Sequence, residues 1–214
     1  MRAVFPAISR PRALGVLGIV ALLGGCESGG APTSLDASPR ADDPGAALGD
    51  GVSVDGMRYP LTAAIGEIWG RSSAWPTHFN VDYLLTNGRF AVTPIVVDGE
   101  SASVREPVEA SVELRAELYA PAAESLPFAD YVFATDPDAP GAIDGRHFFT
   151  AARLGTDTDG SGDVERDEMR EVIGGTIAFA GPLDALSLTF SLVLEDGTTA
   201  NGSYRGLFEF IQRD

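Results

Sequence analysis

A mainly β fold, an antiparallel β-sandwich with a closed β-barrel as the alternative, is what this sequence predicts, on three observations. Several runs alternate apolar and polar residues with period two, tight-turn dipeptides separate those runs, and one acidic stretch interrupts them as an insertion. Alternation with period two puts one side of a strand in a core and the other in water, as antiparallel sheets require. Many short strands with frequent turn signals suit a sandwich or a barrel.

The clearest run is 107–119. Val108, Ala110, Val112, Leu114, Ala116 and Leu118 point one way, and Glu109, Ser111, Glu113, Arg115 and Glu117 the other. Phe79, Val81, Tyr83 and Leu85 repeat the pattern, as do Leu186, Leu188, Phe190, Leu192 and Leu194. Tyr204, Gly206, Phe208 and Phe210 form a matching row, read as the second half of a terminal hairpin. Further strands are predicted at 57–61, 65–70, 89–97, 131–135, 147–154 and 175–180. Asp55-Gly56, Asn87-Gly88, Asp98-Gly99 and Asp196-Gly197 supply tight hairpin turns between them.

The domain is expected to span 51–214, enough chain to bury a core without covalent staples. Every basic residue is an arginine. From position 26 onward, 12 arginines minus 31 aspartates and glutamates leave −19 before histidine. A surface of that sign argues against nucleic acid and against anionic lipid headgroups as partners, and is compatible with cations.

Residues 1–25 have the form of an export signal. Arg2, Arg10 and Arg12 precede an apolar run from Ala13 to Leu23, shorter than the roughly 20 residues that span a bilayer. The run ends Leu23-Gly24-Gly25-Cys26, and Cys26 is the only cysteine, so no disulfide forms within the chain. This ending resembles the lipobox of bacterial lipoproteins. The resemblance implies lipidation of Cys26 and a membrane partner reached through the acyl chains. Glu27, not aspartate, follows the cysteine, so the expected location is the cell envelope, at the outer membrane or cell surface rather than the inner membrane. Residues 26–50 are Gly, Ala, Ser, Pro and Asp with few large apolar residues, the composition of a tether.

The acidic insertion, 157–168, carries six carboxylates and one arginine. Calcium takes six to eight oxygens, and a twelve-residue loop supplies them from positions 1, 3, 5, 7, 9 and 12. Counting from Asp157, these are Asp157, Asp159, Ser161, Asp163 through its backbone carbonyl, Glu165 and Glu168. Gly162 falls at position 6, where the sharp turn calls for a residue without Cβ. Val164, at position 8, can seat the loop on its support. The pattern resembles the calcium loop of the EF-hand family, which implies Ca²⁺ as the cofactor. Gly155 and Thr156 stand where an entering helix would place an apolar turn, so whether the loop sits in a full helix–loop–helix stays open. On the exit side Met169, Val172 and Ile173 read as the apolar face of a short helix over 165–173. A cation here is expected to order the insertion.

Other candidates carry less. Asp136, Asp138 and Asp144 lie in a Pro/Gly-rich connection and are read either as turn formers or as a second metal site. Trp69, Trp75, His78 and Tyr83 cluster in sequence; core packing is the commoner fate of such aromatics, sugar stacking the alternative. His78 and His147 have no zinc-site spacing. With no catalytic signature, the expectation is a non-enzymatic binding or structural module. Its rivals are a calcium-dependent polysaccharide hydrolase and a calcium-responsive interaction switch using Met169, Val172 and Ile173. The strand-and-turn texture is also similar to small β-sandwich domains of unknown function in bacterial lipoproteins.

Overall fold

The computed structural model describes residues 50–97, 100–121 and 129–213. The expected signal, Cys26, nearly all of the expected tether and the Asp98-Gly99 turn lie outside them.

Among the described residues thirteen strands follow one another: β1 (Gly51–Val54), β2 (Met57–Tyr59), β3 (Ala63–Arg71), β4 (His78–Thr86), β5 (Arg89–Val97), β6 (Glu100–Val108), β7 (Val112–Pro121), β8 (Asp130–Phe133), β9 (Phe148–Thr156), β10 (Met169–Ala180), β11 (Ser187–Leu194), β12 (Thr199–Arg205) and β13 (Phe208–Gln212). The fold is mainly β, as expected. Eleven strands form one sheet in the order β13-β3-β4-β7-β9-β8-β10-β11-β12-β1-β2, with an added β9–β10 pairing, and β5–β6 form a separate ribbon. The β13–β3 and β8–β9 pairs are parallel, so the sheet is mixed. It curls into a half-barrel.

Connectivity requires that curl. Only Gly206 and Leu207 separate β12 from β13, yet β12 pairs with β11 while β13 edges the opposite end of the sheet against β3. The terminal apolar row is therefore split between two strands far apart in sheet order instead of completing one hairpin. Register shifts at Ile68/Gly70, Glu117/Leu118 and Val172/Gly174 add the local twist that bends strands. The concave face closes over a single main core. Tyr83 of β4 meets Phe179 of β10 at a ring distance of 4.7 Å, although three strands lie between them in sheet order. Phe149, Leu154, Leu192 and Leu194 are fully buried in the same cluster.

Two sequence expectations are corrected here. The run 107–119 is not one strand. β6 ends at Val108, Glu109 takes a left-handed φ of 55°, and β7 begins at Val112. Alternation survives the break, because Ala110 and Val112 are both buried. The short helix predicted at 165–173 is replaced by one 3-10 turn, Arg166–Glu168, after which the chain runs as β10. The reason is pairing: Met169, Arg170 and Glu171 pair with Gly155, Leu154 and Arg153 of β9, and β-branched Val172 enters the core with 4% exposure. Ile173, on the opposite side of the strand, is 52% exposed.

Candidate metal centre

The acidic loop joins β9 to β10, two strands paired at its base, so it is the connection of a hairpin and not the centre of a helix–loop–helix. Its seat is set by one glycine. A Cβ on Gly155 would overlap the side chains of Val164 and Met169, so Val164 anchors the loop on β9 as its position in the sequence suggests.

Inside the loop the carboxylates organise the backbone. Asp157 Oδ1 accepts from the N–H groups of Gly160 at 2.8 Å and Ser161 at 3.1 Å, and its Oδ2 accepts from Gly162 at 2.9 Å. Asp159 Oδ1 accepts from Ser161 N–H at 2.9 Å. Gly160 and Gly162 supply the left-handed turns, with φ of 76° and 95°. Glu168 closes the loop: its Oε1 accepts from the Thr158 N–H and hydroxyl, both at 2.6 Å, and its Oε2 from Glu165 N–H at 2.9 Å. These bonds, the Thr158 hydroxyl first among them, pull the Glu168 carboxyl down to about 2. The carboxyl of Glu165 is pushed up, chiefly by the negative charge of Asp159.

Asp157, Asp159 and Glu168 each offer a ligand oxygen, and the three oxygens lie within 4.8 Å of one another. An ionised carboxylate has about four acceptor sites. Asp157 and Glu168 each use three on the loop's own donors and Asp159 uses one. Asp157 and Asp159 keep capacity for a cation, and an all-oxygen donor set is of the kind that calcium takes. The remaining predicted ligands are placed differently. The Ser161 hydroxyl donates to the Asp163 carbonyl at 3.0 Å, so these two predicted donors meet each other. The Asp163 carboxylate turns out of the loop and accepts from Glu109 N–H at 2.5 Å. Glu165 is not part of the convergent trio.

Comparison with protein-family models, curated proteins and solved structures finds no match to this chain.

Among the described residues no second group of three metal-ligating side chains converges. Asp138 instead accepts from Trp75 Nε1 at 3.2 Å, and the Asp136 carbonyl accepts from Ala139 N–H in a turn. His78 is 1% exposed, with Nε2 against the Arg146 carbonyl at 3.1 Å and Nδ1 against the Thr77 hydroxyl at 3.0 Å. His147 packs edge-on against Tyr131. Of the clustered aromatics, Tyr83 is in the core, Trp75 packs on Tyr119 and Phe148, and Trp69 is 43% exposed.

Strand pairing also assembles a cluster of three carboxylates that no sequence spacing announces. Glu67, Asp82 and Glu117 face one another across β3, β4 and β7. Asp82 accepts from Trp69 Nε1 at 2.7 Å and Asn80 Nδ2 at 3.1 Å, Tyr119 donates to Glu117, and Arg213 pairs with Glu67. Asp82 and Glu117 lie on the polar sides of alternating runs, but Glu67 shares its side of β3 with buried Ile65, and that β3, β4 and β7 are neighbours depends on strand order.

Proposed function

We propose that the chain is a lipid-anchored cell-envelope protein whose β-domain is stabilised by one calcium ion in the 157–168 loop and acts as a binding or structural module. The observation that carries the metal part is the convergence of Asp157, Asp159 and Glu168 oxygens within 4.8 Å. Three like charges that close repel unless a cation lies among them. The loop's glycines and backbone N–H groups hold the trio in that arrangement, so the donors are preorganised for an ion. The anchor rests on Leu23-Gly24-Gly25-Cys26 and the preceding apolar run.

Affinity is expected to be on the order of 10⁻⁴–10⁻³ M, the range of extracellular calcium modules. At ten times the dissociation constant such an ion adds about 1.4 kcal/mol, a rise of about 3–6 °C in Tm. Thermal unfolding of the full-length protein in millimolar calcium and in chelator tests this, with Glu168→Gln expected to erase most of the difference. Identical melting curves in both buffers would remove calcium from the proposal. The anchor is tested separately: labelled palmitate should enter the wild type and not Cys26→Ser, and equal labelling of both would refute it.

A further inference from the structure

The β5–β6 ribbon is inserted between β4 and β7, two strands that pair directly from His78–Pro121 to Thr86–Glu113. It leaves through Asn87 and Gly88 and returns through 109–111. Asn87 fastens the return link: its Oδ1 accepts from the N–H groups of Ser111 and Val112 at 2.9 and 3.1 Å, and its Nδ2 donates to the Ser111 hydroxyl at 2.7 Å.

The acidic loop emerges at the same end of the sheet, because Thr156 lies opposite Val112. Two bonds join loop to root. Asp157 N–H donates to the Ser111 carbonyl at 3.1 Å, and Glu109 N–H donates to Asp163 Oδ1 at 2.5 Å. Glu109 is one of only two non-glycine residues with positive φ among the described residues, a conformation that persists where surrounding contacts hold it. Its carboxylate grips the first residue of β5, accepting from Arg89 Nε at 3.0 Å and Nη2 at 3.1 Å. Glu109 thus faces the loop with its backbone and the ribbon with its side chain.

We propose that the acidic loop is a latch on the root of the β5–β6 ribbon, acting through Asp163, Glu109 and Arg89, so that ordering the loop holds that root in place. The calcium dependence of the latch rests on the metal reading above; the latch itself rests on these bonds. Asp163 follows Gly162, whose N–H is held by Asp157, so the turn that gathers the carboxylate trio also positions the acceptor for Glu109. A cation drawing the trio together favours the latched state, and repulsion among the bare carboxylates favours the open one. Arg105–Glu209 at 2.7 Å and Arg213–Ser103 carbonyl at 2.6 Å tether the ribbon to β13 and the C-terminus independently. Unlatching therefore loosens the root without freeing the ribbon.

Hydrogen–deuterium exchange of the full-length protein tests the latch, read over 89–96 and 103–108 with β4 and β7 as internal controls. Without metal, Asp163→Ala should speed root exchange by about tenfold, the change expected from losing a charge-assisted bond. Asp163→Asn, which keeps the Oδ1 acceptor, should restore it. Wild-type exchange in Asp163→Ala would overturn the latch whatever calcium does. Millimolar calcium should slow root exchange several-fold in the wild type but not in Arg89→Ala, while slowing loop exchange in both. Protection confined to the loop in the wild type overturns the coupling and leaves the metal reading standing. Absence of calcium heat in calorimetry overturns the metal reading, and the Asp163 series still decides the latch.

Discussion

Asp82 stands directly opposite Glu117 across the β4–β7 pair, with Glu67 directly opposite on its other side, so three carboxylates cross three neighbouring strands in one row. Like charges in directly opposed positions destabilise a sheet. Arg213 offsets Glu67 and lies 5.8 Å over the Trp69 ring, whose N–H is bonded to Asp82. Burial first, then the charge of Glu117, pushes the Asp82 carboxyl up to about 7.

The sign of the pH effect follows. Asp82 binds its proton more tightly folded than unfolded, so its contribution is fully present below the unfolded value of 3.8 and is lost as pH rises through about 7. Asp82→Asn should flatten this part of the stability profile between pH 4 and 7. At pH 8 the variant should exceed the wild type by about 2–4 kcal/mol, from 1.36 kcal/mol per pKa unit. Urea unfolding at pH 5 and 8 measures it, and a variant no more stable than wild type at pH 8 would contradict the assignment.

Gly155→Ala tests how the loop is seated. The new Cβ meets Val164 and Met169, and relieving that overlap displaces the loop or bends β9. The expected loss is about 1–3 kcal/mol, typical of overpacking. Gly155→Ala combined with Val164→Ala should recover part of it in a denaturant series, because the shortened side chain frees space. A double variant no better than the single one would place the strain elsewhere.

Glu168 gives a pH prediction of opposite sign. Its folded carboxyl titrates at about 2, below the ordinary 4.5, so its bonds to Thr158 and Glu165 support the loop above 4.5 and fade as pH falls toward 2. In metal-free protein, Glu168→Gln should speed amide exchange at Thr158 and Glu165 at pH 7. That gap should narrow by pH 3, after correction for intrinsic rates; an equal gap at both pH values would show that charge is not what holds the loop.

The alternation at 112–118 told which side of β7 faces the core, and Val112, Leu114, Ala116 and Leu118 are all 4% exposed or less. The same held at 188–194. Such patterns are legible because a strand's two-residue period is a property of the chain itself. The carboxylate trio was legible for a similar reason: its members lie within twelve residues, and two glycines dictate the turn between them. The expected helix at 165–173 does not form, because Val172 and Ile173 fit either period over so short a span and pairing of β10 with β9, β8 and β11 decides for the strand.

By itself, then, the sequence determined the β class, the buried side of the main strands and the local chemistry of one acidic turn. Each depends on residues near one another in the chain. Only the tertiary structure decided that β13 would cross to β3, that Glu67, Asp82 and Glu117 would stand in a row, and that Asp163 would reach Glu109. Strand order and register join residues far apart along the backbone, where the free energy of the whole curled sheet, and no local pattern, selects the partner.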